Sequence, residues 1–365
     1  MAKQGEELAD KLFPRFEYED PSDSILSIAP EQRRLHTDTY DLSISTVIDY
    51  LEKGHLFIPH FQRGYVWTQV QASRLVESLI IQCPIPVVYL NQETDERLSV
   101  IDGNQRIQSL RKYVSNEFEL KGLTAYPELE GLYYHQLDSR IQRHIKNRTL
   151  RCIVIMKDTH PQVKFDVFER LNTGAVKLTA QELRHGIYHG KLMDFVDRLA
   201  KRKNWKKMLA LTQDRRMRAE EFVIRLLAFY TNYSDYSKPM SAFLNRFCEK
   251  YRDLTDIQEK ELEKAFDTVV SRLNDLYAHF AFKIFTDRGE VLSEFNAALF
   301  DAEVMSTKSL DGAVINSKLQ SRIRSLFPKL FHDETFQKAI TRATSDEKQV
   351  KARVEKLQKL IADLV

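Results

Sequence analysis

The sequence predicts an α+β fold, in which a small mixed sheet is followed by an all-helical C-terminal region. Up to Gly190, short β-branched apolar runs alternate with amphipathic helical patterns. Beyond Gly190 almost every segment has helical periodicity, and no low-complexity linker separates the two parts. We therefore expect an acidic N-terminal arm at 1–38, a sheet-containing domain at 39–190 and a helical domain at 191–365.

Composition restricts the class of protein. With 365 residues and 43% apolar content, the chain can bury a sizeable core, and its net charge of +3 excludes a protein that simply coats nucleic acid. The three cysteines form no CxxC pair, and the sequence has neither a signal peptide nor a membrane-spanning run. We expect a cytoplasmic protein with no membrane contact.

The elements of the sheet-containing part follow from local patterns. Helices are predicted where apolar residues recur at helical spacing between caps, and strands where β-branched residues cluster. In chain order, the predicted elements are a helix in SISTVIDYLEKG, short strands in HLFIPHFQRGYVW, a helix in TQVQASRLVESLIIQ, a hairpin of IPVVYLNQ and RLSVID, a helix in GNQRIQSLRKYVSN, a strand in LRCIVIMKD and a helix in PQVKFDVFERLNTG.

The turn DGNQR lies where the second hairpin strand passes into a helix. Gly103 lets the backbone approach an anion, Arg106 can pair with phosphate oxygens, and the helix N-terminus adds its outward N–H groups. Asp102 is then a candidate for holding a metal ion or orienting water. The alternative is a capped helix, with Asp102 as N-cap and Arg106 solvated.

Two further polar sets flank this turn in the sequence. In PHFQRGYVW, Gln62 and Arg63 adjoin Tyr65, a composition suited either to stacking a base or to an aromatic corner of the core. In FERLNTGAVKLTAQELRHG, the Asn-Thr-Gly stop and a Thr179–Glu182 capping box explain the pattern structurally. Three polar residues around that turn can also close over a ligand: Arg170, Asn172 and Arg184.

A basic segment runs from Arg198 to Arg218, with nine Lys or Arg against one acid, Asp214. Phosphate neutralisation is one use of such a segment, with Trp205 available for stacking, and a solvated helix face is the other. A smaller basic segment lies at 140–151. The candidate nucleic-acid contacts are Lys201, Arg202, Lys203, Lys206, Lys207, Arg215, Arg216 and Arg218.

Several enzyme classes are not indicated. The sequence lacks a GxxxxGK[ST] phosphate loop, an HExxH zinc motif, a GxSxG elbow and a dinucleotide-type GxGxxG. No HNH-like arrangement of His and Asn stands out, so no nuclease centre is expected. His185 and His189 are spaced as metal ligands, but without a third ligand nearby we expect surface histidines.

In this order and spacing, IPHFQRGYVW, VIDGNQRIQSL and FERLNTGAVKLTAQELRHGIYHG resemble the N-terminal domain of GmrSD-type modification-dependent restriction endonucleases. This is the domain-of-unknown-function 262 family, which is related in fold to ParB and sulfiredoxin. The resemblance covers Tyr40 to Gly190, and DRRMRAEEFVIRLLAFY is similar to the helical continuation of stand-alone members. Because the C-terminal region lacks an HNH motif, the chain resembles a stand-alone member.

The resemblance implies a ParB-like core that binds nucleoside triphosphate with Mg²⁺ and, in several members, hydrolyses it while recognising or cleaving modified phage DNA. By position, Gln62 and Arg63 match the family's Gln-Arg pair, and Asp102, Gly103, Gln105 and Arg106 match its Asp-Gly-Gln-Gln-Arg motif. Two positions depart from the family pattern: Asn104, where a glutamine is usual, and Ala175, where a second glycine is common.

We therefore expect a nucleotide-binding, NTP-hydrolysing sensor or regulatory subunit of an antiphage defence system, with no nuclease centre of its own. Its expected partners are DNA, including modified phage DNA, a separately encoded nuclease or effector, and further copies of itself. Asp102, Gln105 and Arg106 are the expected catalytic residues. The alternative is a non-enzymatic DNA-binding or protein-interaction module, such as the antitoxin-like partner of a separate nuclease.

Overall fold

The computed structural model describes residues 29–59, 64–171, 178–211, 214, 216–285, 291–293, 295–310 and 315–364. These residues form two compact units. The N-terminal unit ends at Ile187 and the C-terminal unit begins at Tyr188.

A five-stranded mixed sheet forms the centre of the N-terminal unit. Its strands are β1 (Thr37–Ser43), β2 (Leu56–Phe57), β3 (Val88–Gln92), β4 (Leu98–Asp102) and β5 (Thr149–Ile155). They lie in the order β1-β5-β3-β4-β2. The pairs β1–β5 and β3–β4 are antiparallel, whereas β3–β5 and β2–β4 are parallel. The central strands β3 and β5 are therefore paired on both edges.

Six α-helices accompany the sheet in the residues that the structure describes, and local side chains cap several of them. Ser43 caps the first by accepting a hydrogen bond from the Thr46 backbone N–H, and Thr68 and Gln71 form a capping box for the second. The helices are α1 (Ile44–Glu52), α2 (Gln69–Ile80), α3 (Asn104–Val114), α4 (Ser139–Asn147), α5 (Pro161–Leu171) and α6 (Ala180–Ile187).

Both faces of this sheet are covered. Side chains alternate between faces along a strand, and Val88, Leu90 and Val100 join the main apolar core with residues of α1 to α4. On the other face, Ser99 and Ile101 line a small cavity together with residues of α5 and α6: Phe168, Leu183 and Gly186. The turn that follows β4 is thus supported by packing on both sides of the strand.

Where the structure describes it, the C-terminal unit is helical apart from a two-stranded antiparallel ladder of β6 (Ile284–Phe285) and β7 (Val291–Ser293). No helix in the described part of the chain is long and apolar enough to cross a membrane. The helices are α7 (Lys191–Ala200), α8 (Lys203–Met208), α9 (Arg218–Asn232), α10 (Met240–Lys250), α11 (Asp256–Tyr277), α12 (Ala297–Ser306), α13 (Ser317–Leu326), α14 (Glu334–Thr341) and α15 (Glu347–Ala362).

The predicted α+β class is confirmed, with the sheet in the N-terminal part and helices after it. The predicted hairpin is the antiparallel pair β3–β4. In the N-terminal unit, two of these strands and helices were not predicted: β1, which begins in the predicted N-terminal arm, and α4, which lies in the smaller basic segment. The β6–β7 ladder of the C-terminal unit was not predicted either, because that region was expected to be all-helical.

Candidate functional site

The turn between β4 and α3 is built around Gly103. This residue has φ +103° and is the N-cap of α3. A Cβ atom here would lie 2.9 Å from Cγ2 of Val88, so both the backbone conformation and the packing require glycine. The interpretation of Asp102 as the N-cap is therefore wrong, because the cap position falls one residue later.

Asp102 and Arg106 form an ion pair across this turn, between Oδ2 of the carboxylate and Nη2 of the guanidinium. Nη1 of Arg106 also donates to the Pro86 carbonyl oxygen at 2.7 Å. The Arg106 side chain is only 12% exposed, whereas that of Asp102 is 52% exposed. The interpretation of Arg106 as a solvated side chain is thus wrong, because two acceptors fix its guanidinium over the turn.

Several hydrogen-bonding groups at this turn have no partner among the described residues. Of the five N–H groups of the Arg106 guanidinium, two have acceptors, so three have none among the described residues. Oδ1 of Asp102 likewise has no partner in the described part of the chain. No described side chain caps the first turn of α3, since its N-cap is glycine. The turn therefore presents donors and one carboxylate oxygen at the same place.

Asn104 and Gln105 are engaged by the protein itself. Asn104 is 8% exposed, and its Oδ1 accepts a hydrogen bond from Nε2 of Gln108 at 2.6 Å. Oε1 of Gln105 accepts from the backbone N–H groups of Val66 at 2.9 Å and Trp67 at 3.2 Å. Gln105 thereby connects α3 to the segment that follows the Gln-Arg pair.

Tyr65 belongs to this same segment. Its hydroxyl lies 2.9 Å from Oγ of Ser109, and Nζ of Lys112 lies 4.8 Å from the centre of its ring. The preceding residues, Gln62 and Arg63, lie outside the described residues, as do Asn172 and Arg215. Their assignments to ligand contacts stay predictions.

Arg170 and Arg184 lie on α5 and α6. Arg170 pairs with Asp166 at 2.7 Å, and burial raises the pKa of the Asp166 carboxyl although Arg170 acts in the opposite direction. Arg184 is 1% exposed, and its Nη1 donates to Oε1 of Gln181 at 2.8 Å. Arg184 therefore lies inside the unit. The structure has the predicted capping box at the start of α6, with Thr179 and Glu182 exchanging hydrogen bonds.

A family model described as the N-terminal domain of GmrSD restriction endonuclease matches residues 44–189. These residues belong to the GmrSD N-terminal domain family. The match spans α1 to α6, the β4–α3 turn and the Gly64–Trp67 segment, so every element of this candidate site lies within the GmrSD N-terminal domain. No curated protein shows significant similarity to the chain.

The basic segment lies outside the GmrSD N-terminal domain, and several of its cations are neutralised. Lys201, which follows the last residue of α7, pairs with Asp197 of that helix at 2.5 Å. Arg202 pairs with Glu263 and with Asp267 of α11. Arg198 reaches the same acidic face of α11. Three of the nine cations counted in the sequence are thus paired with carboxylates of the same unit.

Trp205 of this segment is fully buried, so the expectation that it stacks on a base is wrong. Its Nε1 donates to the Ala219 carbonyl oxygen at 3.0 Å, and its ring packs edge-on against Phe266. The Arg218 guanidinium lies 4.5 Å from the centre of the Phe295 ring, and the Arg216 backbone N–H approaches Asp214. Three lysines form no ion pair with the described residues: Lys203, Lys206 and Lys207.

Four residues that support the candidate site were not predicted from the sequence. Val88 and Pro86 contact the β4–α3 turn, and Ser109 and Lys112 contact Tyr65. Ser109 and Lys112 follow Gln105 by four and seven residues, which is the spacing of one helix face, so a helical projection could have identified them. Val88 and Pro86 act through strand pairing and backbone contact, for which the sequence carries no comparable signal.

No group of three or more His, Cys, Asp or Glu side chains placed to bind a metal ion occurs among the described residues. The GmrSD N-terminal domain nevertheless offers Asp102, half exposed and with one oxygen unused. Mg²⁺ in nucleotide sites is commonly held by one or two carboxylates together with substrate phosphates and water, so this donor fits such an ion.

Proposed function

We propose that this chain is a nucleotide-binding, NTP-hydrolysing sensor or regulatory subunit of a restriction-like antiphage defence system. Its GmrSD N-terminal domain supports the restriction context. The β4–α3 turn supports the assignment of nucleotide binding, because it combines a fixed guanidinium, an unused carboxylate oxygen and a helix N-terminus without a side-chain cap.

Phosphate binding is assigned to Arg106 and to the first turn of α3. The two hydrogen bonds to Asp102 and Pro86 already fix the guanidinium, so little side-chain entropy is lost when a phosphate binds to its remaining N–H groups. The backbone N–H groups of the helix N-terminus add the positive end of the helix dipole. Gly103 keeps this surface free of a Cβ atom.

Asp102 is assigned to Mg²⁺ or to the attacking water. Mg²⁺ would neutralise phosphate charge in the bound nucleotide. Asp102 itself keeps Oδ2 on Arg106 and offers Oδ1, so one carboxylate can orient the guanidinium and also contact the metal–nucleotide complex or a water. Protein donors already occupy the amide oxygens of Asn104 and Gln105, so Asp102 and Arg106 are the direct ligand contacts of this proposal.

A contact with DNA is assigned to the three lysines of α8 that form no described ion pair: Lys203, Lys206 and Lys207. Nuclease activity is assigned to a separately encoded effector. The neutralised cations around Arg202 favour a second candidate, a non-enzymatic protein-interaction module of the antitoxin type, since such a module needs no phosphate-binding surface.

The deciding experiment compares Arg106→Ala with Arg111→Ala. Both residues lie on α3, but Arg111 pairs with Glu117 and is one turn farther from Gly103. Binding and hydrolysis of ATP, GTP, CTP and UTP would be measured with Mg²⁺, with and without unmodified and phage-modified DNA. We expect Arg106→Ala to weaken binding of the preferred nucleotide about 100-fold, the loss of a charge-assisted contact worth about 3 kcal/mol, and Arg111→Ala to have no effect.

Each result selects one function. Arg106-dependent turnover supports the NTP-hydrolysing subunit. Arg106-dependent binding without turnover, in folded protein, supports the non-enzymatic module. Nucleotide affinity that is unchanged in Arg106→Ala contradicts the assignment of this turn, and circular dichroism of each variant verifies that it is folded.

A further inference from the structure

Gln105 uses its amide oxygen and one of its two amide N–H groups to hold one backbone segment. Its Oε1 accepts from the N–H groups of Val66 at 2.9 Å and Trp67 at 3.2 Å, and its Nε2 donates to the Gly64 carbonyl oxygen at 3.3 Å. A carbonyl-type oxygen has two lone pairs, and both are used. Gln105 has therefore no acceptor left for a nucleotide unless the segment is released.

Two further residues on the same face of α3 hold this segment. Oγ of Ser109 donates to the Gln105 carbonyl oxygen at 2.7 Å, so its lone pairs are free to accept the Tyr65 hydroxyl proton at 2.9 Å. Nζ of Lys112 lies over the Tyr65 ring at 4.8 Å. Residues 105, 109 and 112 are spaced as one helix face, so α3 presents three successive attachment points.

This attachment connects two stretches of sequence that are about 40 residues apart, and it begins in the first turn of α3, next to Arg106. The segment Gly64–Trp67 consequently cannot move away from the β4–α3 turn without breaking the Gln105 hydrogen bonds. Because those bonds are to backbone groups, they depend little on the identity of the side chains at Val66 and Trp67.

We propose that Gln105 is a positioning residue, which holds Gly64–Trp67 against α3 and thereby supports nucleotide binding without contacting the nucleotide. The effect on nucleotide binding rests on the function proposed above. The attachment of the segment does not, since it follows from the hydrogen bonds alone.

Two substitutions of similar size separate positioning from ligand contact. Gln105→Met keeps the volume and removes both the acceptor oxygen and the amide donor. Gln105→Glu keeps an acceptor for the two N–H groups and loses only the longer bond to Gly64. A carboxylate placed directly on a nucleotide phosphate would repel it, whereas a carboxylate satisfied by Val66 and Trp67 would preserve the segment. Glutamate is therefore the conservative variant that should rescue a positioning role.

The first readout is hydrogen exchange at the Val66 and Trp67 amides, without nucleotide. We expect Gln105→Met to accelerate this exchange about tenfold, as loss of their acceptors permits local opening, and Gln105→Glu to change it less than about threefold. The second readout is affinity for ATP, GTP, CTP and UTP with Mg²⁺. We expect Gln105→Met to weaken it about fivefold and Gln105→Glu to retain most of it.

Three results would overturn the proposal. Unchanged exchange in Gln105→Met would show that Gln105 does not hold the segment. Faster exchange with unchanged affinity would show that the segment does not support binding. Abolished affinity in Gln105→Glu, with wild-type exchange, would make Gln105 a direct ligand contact. If wild-type protein binds none of the four nucleotides, the proposed function fails and the binding role with it, while exchange still decides the attachment.

Discussion

Asp102 of the N-terminal unit and Asp301 of the C-terminal unit both pair with arginine, but in opposite surroundings. Asp102 is 52% exposed at a strand end, pairs with one arginine and keeps one oxygen unused. Asp301 is fully buried on α12 and pairs with two, Arg225 of α9 and Arg353 of α15, at 2.7 Å each. The first pair has groups available to bind a ligand, whereas the ion pairs of Asp301 connect α9, α12 and α15.

The difference shows where a binding function can be sought in this chain. Burying a charge is costly unless partners satisfy it completely, so the groups around Asp301 are committed to the fold. An exposed pair contributes little to stability, and its residues are available for other contacts. The same contrast holds for the basic segment, where Arg202 is committed to Glu263 and Asp267.

The largest expected effect is that of Asp301→Ala. Removing this carboxylate leaves Arg225 and Arg353 buried beside each other, and we expect it to lower the free energy of unfolding of the C-terminal unit by about 3–5 kcal/mol. Asp102→Ala, the matched change in the N-terminal unit, should cost no more than about 1 kcal/mol. Urea unfolding followed by circular dichroism measures both. Equal costs would contradict the contrast between the two pairs.

The next effect concerns the glycine of the β4–α3 turn. Gly103→Ala places a Cβ atom 2.9 Å from Val88 at a φ of +103°, so we expect a loss of about 3 kcal/mol from strain and overpacking. Gly54→Ala is the control, since Gly54 also has positive φ but nothing within 4 Å of the added atom. It should cost about 1 kcal/mol. A cost for Gly103→Ala as small as that of Gly54→Ala would mean that β3 can shift away from the turn.

Much of the N-terminal unit could be predicted from sequence because its signals are local. The cap at Ser43, the capping boxes at Thr68 and Thr179, and the β3–β4 hairpin depend on residues within a few positions of each other. β1 was missed because five of its seven residues are exposed, so this edge strand lacks an apolar alternation. Its position depends on pairing with β5, more than 100 residues away.

The candidate site was predictable to the same extent. The motif identified Asp102, Gly103 and Arg106, whereas the groups that fix them, the Pro86 carbonyl and the Val88 side chain, lie on the neighbouring strand segment. In the basic segment, Arg198 and Arg202 pair with carboxylates that lie about 60 residues later, on one face of α11, while its nucleic-acid contacts stay predictions. A count of charge along the chain cannot include such partners.

Two buried carboxyl groups should give the units opposite responses to pH. Burial raises the pKa of Glu77, but hydrogen bonds from the backbone of Tyr126, Ala125 and Thr124 outweigh it, and the pKa is lowered. Complete burial raises the pKa of Glu303 well above its usual range, and only the Phe282 N–H opposes this. Glu77 therefore stabilises the N-terminal unit at pH values above the usual glutamate pKa. This stabilisation is lost as the pH falls through the lowered pKa of Glu77.

For Glu303 the sign is reversed. Its carboxyl is protonated in the folded state at pH values where the unfolded chain is ionised, so unfolding is favoured increasingly as pH rises above the usual glutamate pKa. We expect Glu77→Ala to cost about 2 kcal/mol at pH 7 and less at pH 3, and Glu303→Gln to flatten the pH dependence of the C-terminal unit. Hydrogen exchange between pH 3 and pH 8 measures the free energy of unfolding of each unit and tests both expectations. Parallel pH profiles of the two units would contradict the assignment.

The smallest effect should come from the three lysines of α8 that form no ion pair with the described residues. If Lys203, Lys206 and Lys207 contact DNA phosphates, the logarithm of the affinity should fall with the logarithm of salt concentration with a slope of about −3, through counterion release. Changing all three to alanine should bring this slope close to zero and weaken binding at low salt. The matched variant changes Arg198, Lys201 and Arg202, whose charges are already neutralised, and should leave the slope intact.

If that variant instead loses DNA binding, the acidic face of α11 does not neutralise these cations in solution. If wild-type protein binds no DNA even at low salt, the protein-interaction module gains support, because a surface that contacts no phosphate has no counterions to release.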